Sequence, residues 1–374
     1  MKHVAIVGCG QLARMLALAG WHMGIRFSFV ACNNEGTYCV EGLGPITNWV
    51  DGDDVERLYT ALGQPDVVTV ERESVSTDLL RDLASHCPVY PNPDAVSVCQ
   101  HRLREKALFD ELNIATAPYR AANRLTDVKV GVAELGYPVV IKAASDGYDG
   151  KAQWRLGTDA DLQQLPTDEN TFEWLIESRI PFDCEVSFIG ARTSSGDTAY
   201  YPPTQNVHRD GILIHSSAPA GSLPESLREV GQTYLQSLME SMDYVGVLAM
   251  ECFVVENQLL VNELAPRVHN SGHWTLQASV ACQFENHLRA ILGLSLGSTE
   301  LKHHSGIVNI LGSQPDSVSL EQLPAQASLH WYNKPFAPGR KLGHFGVNAD
   351  SSEALSQRLE QLQLVLKPAS KASA

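Results

Sequence analysis

No apolar run in this chain approaches the roughly 18 residues that a helix needs to cross a bilayer. That excludes a helical membrane protein, and no membrane partner is expected. Eight cysteines occur (Cys9, Cys32, Cys39, Cys87, Cys99, Cys184, Cys252 and Cys282), yet none are spaced Cys-x-x-Cys, which argues against a structural zinc site. Several lie in apolar runs, as buried free thiols do, so a reducing, cytoplasmic setting is expected. Positive charge is scarce: 28 Lys and Arg stand against 43 Asp and Glu, a net charge of −15. Such a balance excludes general binding to nucleic acid but leaves room for a local basic pocket around a phosphorylated small molecule. The first residues enter a strand pattern without a basic n-region and cleavage site, so a secretory leader is not expected. Internal repeats and low-complexity segments are also missing, apart from a polar tail from Lys371. What remains is an ordinary globular composition, 44% apolar and 19% charged over 374 residues, enough for two or three domains with real cores.

The most informative stretch runs from Met250 to His273. Two apolar runs flank Glu256-Asn257-Gln258, which reads as a hairpin with a three-residue loop. With Asn257 at the tip, Glu251 and Glu263 face each other on one side of the hairpin. Two carboxylates so close repel unless a proton or a cation lies between them. A hard divalent ion with oxygen ligands, Mg²⁺ carrying nucleotide phosphates, answers that; one solvent-facing Glu in a slipped register answers it equally.

Residues 3–7, the turn Gly8-Cys9-Gly10, a helical pattern from Gln11 to about Met23 and a strand from Ile25 to Ala31 make a βαβ unit. Its glycines let backbone N–H groups approach an anion, or simply allow tight strand–helix packing. A dinucleotide site is poorly supported, because Ala13 fills the third glycine position and the second strand ends at Cys32-Asn33-Asn34, without the acidic residue that would hold a ribose. Glu71 and Glu73 end a further buried strand, where open α/β sheets place ligands, though solvated loop acids would look the same. Cys99 to Leu112 reads as one helix carrying Arg102. Tyr137 to Lys142 is a buried strand ending in lysine, and the segment with Gly147, Gly150 and Lys151 that follows suits either phosphates or a plain hairpin turn. It is not a Walker A loop: Ser145 stands at the first glycine position and Ala152 where Ser or Thr is required. Strands are predicted over 172–180 and 184–189, a helix over 225–242 and another over 280–292. The remainder, from about residue 300, is strand-rich with one basic island from Lys334 to Lys341, a phosphate site or a simple turn.

This order of parts resembles an ATP-grasp ligase. Gly10-Gln-Leu-Ala-Arg-Met15, Gly147-Tyr-Asp-Gly-Lys-Ala-Gln153, Asn262-Glu-Leu-Ala-Pro-Arg-Val-His-Asn-Ser-Gly-His-Trp274, His330-Trp-Tyr-Asn-Lys334 and Pro338-Gly-Arg-Lys-Leu-Gly-His344 narrow it further. They resemble the N5-carboxyaminoimidazole ribonucleotide synthetase family over nearly the whole chain, to about residue 345. The resemblance implies an α/β and α+β architecture in three parts: a Rossmann-like α/β pre-ATP-grasp substrate domain over 1–97, an ATP-grasp domain over 98–296 with a flexible lid over about 113–183, and a small strand-rich domain over 297–374.

The same resemblance implies the activity, the ATP-dependent carboxylation of 5-aminoimidazole ribonucleotide with bicarbonate. ATP would be held by Arg102, Lys142, the loop Gly147, Tyr148, Asp149, Gly150, Lys151, Ala152 and Gln153, the connection Glu177, Ser178, Arg179 and Ile180, then Glu185, His208, Asn262 and Glu263. Glu251 and Glu263 would hold Mg²⁺, with Mn²⁺ as an alternative. The ribonucleotide would meet Gly10, Gln11, Tyr148, Asp149, Arg267, Asn270, Ser271, Lys334 and Arg340, with Lys151, Arg267 and His269 as the catalytic residues. A homodimer and hand-over of product to a separate mutase are also implied. Three residues depart from the family pattern: Ala13 and Ala152 replace glycines and Ala337 replaces an arginine. Ala152 is expected to stiffen the phosphate loop. Rival readings are another ATP-grasp ligase such as formate-dependent glycinamide ribonucleotide transformylase, an NAD-dependent oxidoreductase built on the first βαβ unit, and an inactive scaffold of the same fold.

Overall fold

Every residue of the first strand, β1 (His3–Val7), is buried, as its apolar sequence requires when parallel neighbours cover both edges. In the computed structural model, which describes residues 1–145, 152–166, 173–221, 223–312 and 325–366, β1 leads through α1 (Gln11–Trp21) to β2 (Arg26–Cys32), β3 (Ile46–Trp49), α2 (Val55–Ala61), β4 (Val67–Val70) and α3 (Thr77–Ala84). The parallel sheet has the order β3-β2-β1-β4, with Val4 opposite both Phe27 and Val67. Side chains cap the starts of α2 and α3: Asp54 accepts the N–H groups of Glu56 and Arg57, and Ser76 accepts that of Leu79.

The single helix expected over 99–112 is two. α4 (Pro93–Cys99) starts at an Asn92 cap with proline in its first turn, and α5 (Arg102–Glu111) starts after a break at Gln100 and His101. A second sheet follows, from β5 (Tyr119–Ala122), α6 (Leu125–Leu135), β6 (Val139–Ala143), β7 (Gln153–Leu156) and β8 (Trp174–Ser178), antiparallel in the order β5-β8-β6-β7.

The largest sheet starts with β9 (Cys184–Arg192), β10 (Thr198–Tyr200), β11 (Thr204–Arg209) and β12 (Ile212–Ala218). After α7 (Glu225–Ser241) come β13 (Gly246–Val255), β14 (Gln258–Ala265), α8 (Thr275–Ala278), α9 (Gln283–Ile291), β15 (His304–Leu311), β16 (Ala327–Trp331), β17 (Lys341–Ala349) and α10 (Ser352–Val365). Its order is β14-β13-β9-β11-β12-β15-β17-β16, with β10 on β9. The C-terminal strands therefore extend the central sheet, through the antiparallel pair β12 and β15, rather than forming a sheet of their own. Under one face Leu235, Leu238 and Met239 of α7 pack on Phe188, Leu248 and Met250. On the other face Ile189, Val247 and Ala249 share a core with Leu16 of α1 and Leu288 of α9, so the N-terminal sheet layer and the large sheet are packed together.

All eight cysteines are free. Among the described residues, no helix is long and apolar enough to cross a membrane.

Candidate active site

The hairpin of β13 and β14 turns on Glu256 and Asn257 alone, both left-handed with φ of +46° and +65°. It is a two-residue turn, not the expected three-residue loop, because two consecutive positive φ values twist with the strands. From it the pairing runs Val255 to Gln258 and on to Cys252 with Val261, a register that would carry Glu251 opposite Asn262. A bulge between Glu251 and Cys252 admits Asn262 as the extra residue and restores the pair Glu251–Glu263. Core burial records the slip: Leu259, Val261 and Leu264 all enter the same core, so Asn262 and Glu263 both turn to the face of Glu251.

Burial and the facing Glu263 charge push the Glu251 carboxyl up to about 7, against the pull of His208. His269 Nε2 lies 3.2 Å from Glu251 Oε1. Its Nδ1 accepts the Ser271 N–H at 3.3 Å, which leaves the ring proton on Nε2, facing Glu251. Burial, with the Arg267 charge added, holds this imidazole well below its ordinary value, so it is neutral. On the neighbouring strands His208 Nδ1 lies 2.7 Å from Glu185 Oε2. Burial would lower the His208 pKa, but the bond to Glu185 and the Glu251 charge raise it.

The smaller sheet contributes cations. Val140 of β6 pairs with Glu177 of β8, so Lys142, two residues along β6, shares the Glu177 face. Lys142 Nζ reaches Glu177 Oε2 at 2.6 Å and Asn262 Oδ1 at 3.2 Å, tying the two sheets together. Lys106 of α5 holds the other Glu177 oxygen at 2.7 Å. Burial works against ionisation of Glu177, yet Lys142 and Lys106 hold its pKa down to about 2. The adjacent Glu105 accepts the Leu264 N–H at 2.9 Å, and burial with the Glu263 charge pushes it up to about 8.

At the edge of the N-terminal sheet Arg267 grips Glu73 with Nε on Oε2 at 2.5 Å and Nη2 on Oε1 at 3.1 Å. Glu71 lies against the glycine turn: a Cβ on Gly8 (φ +112°) would stand 2.4 Å from its Cγ, and one on Gly10 2.5 Å from its Oε1. Gln11 opens α1, and the Ala13 N–H donates to Glu71 Oε2 at 3.4 Å. Both glycines are thus required by a buried acid on the turn, and Gly8 also by its φ. Lys334 lies close enough for its charge to act on Glu71 and Cys39, with burial lowering its own pKa.

Three domain families match the chain in order. A ribonucleotide synthetase preATP-grasp domain matches residues 1–100, an ATP-grasp domain 107–284 and a phosphoribosylaminoimidazole carboxylase C-terminal domain 305–358. The Vibrio cholerae N5-carboxyaminoimidazole ribonucleotide synthase is 40% identical, over 97% of this chain and 95% of its own. The chain belongs to the N5-carboxyaminoimidazole ribonucleotide synthase family. Among solved structures, the Thermus thermophilus synthetase superposes with a TM-score of 0.89 at 37% identity, covering 98% of this chain and 99% of that one. The Aspergillus clavatus synthase in complex with ADP and 5-aminoimidazole ribonucleotide does so with 0.88 at 26% identity, covering 98% of each chain. The fold is thus ATP-grasp with a preATP-grasp domain before it and a carboxylase C-terminal domain after it.

Within this synthase fold Lys142, Glu177, Asn262, Glu263, Glu251 and His269 are brought together by direct contact or strand pairing. Arg102 donates from Nη1 to the Ala143 carbonyl at 2.8 Å, beside Lys142. Ser178 is half-buried and Arg179 exposed just beyond β8, followed by half-buried Ile180. Asn270 exchanges two hydrogen bonds with Asn309, at 3.1 and 2.6 Å, and Ser271 is fully buried beside His269. Arg340 is exposed and donates to the Pro335 carbonyl at 2.9 Å. Gly147, Tyr148, Asp149, Gly150 and Lys151 lie outside the described residues, as does the tail from Lys371. Ala152, at the edge of that loop, has φ of +51° and gives its carbonyl to the Ala143 N–H, with Gln153 next to it opening β7.

Four further residues escaped sequence reasoning. Glu105 and Lys106 were hidden in a charged helix whose exposed and buried sides look alike. Lys341, whose charge acts on Glu251, His208 and His269, lies in the basic island, one residue past the arginine singled out. Gln283 carried no signal beyond its place at the start of a helix.

Glu251 and Glu263 suit a hard cation, because they oppose each other and supply only oxygen ligands. Among the described residues no group of three or more His, Cys, Asp or Glu side chains forms a metal cage. Two carboxylates that need phosphate oxygens to complete the ligand set fit Mg²⁺.

Proposed function

We propose that this chain carboxylates the exocyclic amine of 5-aminoimidazole ribonucleotide in purine biosynthesis, consuming ATP and bicarbonate and releasing ADP and phosphate. One observation carries the reading. The Lys142–Glu177–Lys106 cluster bonds Asn262 beside the Glu251–Glu263 pair, Glu251 meets His269, and Arg267, two residues before His269, clamps Glu73, so an unbroken line of charged groups joins the small sheet to the glycine turn of the N-terminal sheet. The family membership and the relative solved with ADP and the ribonucleotide support it.

A bicarbonate oxygen attacks the γ-phosphorus and the bond to the ADP oxygen breaks, giving carboxyphosphate. The amine nitrogen then attacks the carboxyl carbon, phosphate leaves with the C–O electron pair and the amine gives up a proton. Lys142 and Arg102 counter phosphate charge on the nucleotide side, and Arg267 and Lys341 do so around the carboxyl. Glu185 and His208 take the nucleotide ribose, while Ser178 to Ile180 border the adenine. Gly10, Gln11, Lys334 and Arg340 receive the ribonucleotide, with Asn270 and Ser271 lining its approach. His269, neutral and donating from Nε2, positions the carboxyl group. Glu251 and Glu263 would hold Mg²⁺ or Mn²⁺, which when bound offsets charge on the nucleotide phosphates. Tyr148, Asp149 and Lys151 complete the site as the family resemblance implies. The division at about residues 97 and 297, a homodimer, a cytoplasmic location and transfer of product to a separate mutase belong to the same reading.

The test is ADP release from the purified chain. Release should require both bicarbonate and 5-aminoimidazole ribonucleotide; turnover indifferent to the ribonucleotide would overturn the assignment.

A further inference from the structure

Gln283 is fully buried at the first turn of α9, yet every hydrogen bond of its amide serves a neighbouring loop rather than its own helix. Oε1 accepts the His269 N–H at 2.9 Å and Nε2 donates to the His269 carbonyl at 2.7 Å. One side chain thus pairs with both backbone groups of one residue, as a neighbouring strand would. The second Nε2 hydrogen points to His273 Nδ1 at 3.2 Å. Turning the amide over would set Oε1 against the His269 carbonyl and the amide hydrogens against the His269 N–H, so the His269 backbone fixes which way round it sits and His273 Nδ1 takes the second hydrogen. His273 is itself held, with its ring 4.9 Å from that of His344, which stacks on His330 at 4.5 Å and meets Tyr332 Oη at 2.6 Å through Nδ1. The approach is so close that a Cβ on Gly272 would stand 2.7 Å from Gln283 Oε1, which explains the glycine of the His269–Trp274 run.

We infer that Gln283 is a positioning residue for His269: it fixes the backbone of His269 so that Nε2 stays directed at Glu251 and the reacting carboxyl group. The inference rests on the reaction proposed above. With the backbone pinned at both N–H and C=O, and Nδ1 held by Ser271, the ring keeps a single orientation. Removing the amide frees that backbone and lets the ring leave Glu251, although Gln283 touches neither.

The experiment compares full-length wild type with Gln283→Met, which keeps length and apolar volume but no hydrogen bonds. A misplacement of about 1 Å at the reacting groups costs about 100-fold, so ribonucleotide-dependent kcat should fall by about 10- to 100-fold while KM for ATP stays within about twofold. His269→Ala and the double variant complete a cycle; the double variant should lose no more than His269→Ala alone. A kcat within about twofold of wild type in a folded Gln283→Met protein, or losses that add in the double variant, would overturn the inference. Should Gln283→Met fail to fold, Gln283→Asn keeps the amide but draws it back by one methylene from the His269 backbone, and a kcat unchanged there overturns it equally. Imidazole NMR signals of His269, identified by their loss in His269→Ala, provide a readout independent of turnover. They should move in Gln283→Met; signals at their wild-type positions overturn the inference. A wild type without ribonucleotide-dependent ADP release sinks the reaction, while the NMR comparison still decides the positioning role.

Discussion

Glu177, buried, and Glu263, half-buried, show how differently a carboxylate can be held within one site. Glu177 is balanced by two lysines, whereas Glu263 faces Glu251 across the hairpin and Glu105 beside it. Glu263→Gln removes one charge from a cluster with excess negative charge, so it should leave the fold intact while abolishing Mg²⁺-dependent ADP release. Undiminished turnover would refute the metal role. Lys106→Met acts in the opposite sense, because it leaves Glu177 buried with Lys142 alone. Breaking a buried pair in this way costs about 3 kcal/mol, and Lys142, drawn fully onto Glu177, should bind nucleotide phosphate less well. Urea unfolding and KM for ATP test the two halves separately. The Glu177 pKa lies below its unfolded value, so its contribution is complete above pH about 4.5 and is lost as pH falls towards about 2.

At the scale of elements, the β13–β14 hairpin was legible because two carboxylates in otherwise apolar strands demand an explanation. Its register was not. A two-residue turn followed by a one-residue bulge gives the same Glu251–Glu263 pair as a three-residue loop without a bulge, and nothing in the residue pattern separates them. The turn itself is strained, since Glu256 has φ of +46° with a side chain that disfavours it. Replacing Glu256-Asn257 by Asn-Gly, the pair suited to two positive φ values, should stabilise the protein by about 1 kcal/mol. Thermal unfolding should shift upward with kcat unchanged; a lower midpoint would mean that the Glu256 side chain matters to the hairpin. α5 was misread for a related reason. Residues 99 to 112 look continuous, but the chain breaks at Gln100 and His101 so that Arg102, Glu105 and Lys106 turn towards the sheets. That break answers to packing partners distant in sequence, which local pattern does not contain.

Across the whole molecule, the sequence motifs mark the ends of strands and loops, while the surfaces joining them are carried by residues without a motif. His287 is one. Its Nδ1 accepts the Val247 N–H from the large sheet at 3.1 Å, so Nε2 carries the proton and donates to Thr69 Oγ1 of the N-terminal sheet at 2.8 Å. Together with the shared core of Leu16, Leu288, Val247 and Ala249, this bond ties the two sheets together, so they are expected to unfold as one unit. Burial lowers the His287 pKa to about 4, from 6.5 in an exposed histidine. The unfolded chain therefore takes up a proton as pH drops through 6.5, whereas the folded chain cannot until about 4. Stability from this residue is complete above pH 6.5, declines between the two values and is gone below about 4, a change of about 3 kcal/mol. His287→Gln should be less stable than wild type at pH 7 and lose stability less steeply between pH 6.5 and 4, with both sheets still unfolding in one transition. Urea titrations followed by near- and far-ultraviolet circular dichroism at several pH values measure both quantities. Equal slopes for variant and wild type would show that the acid sensitivity arises elsewhere, and two separate transitions in the wild type would show that the sheets do not depend on this contact.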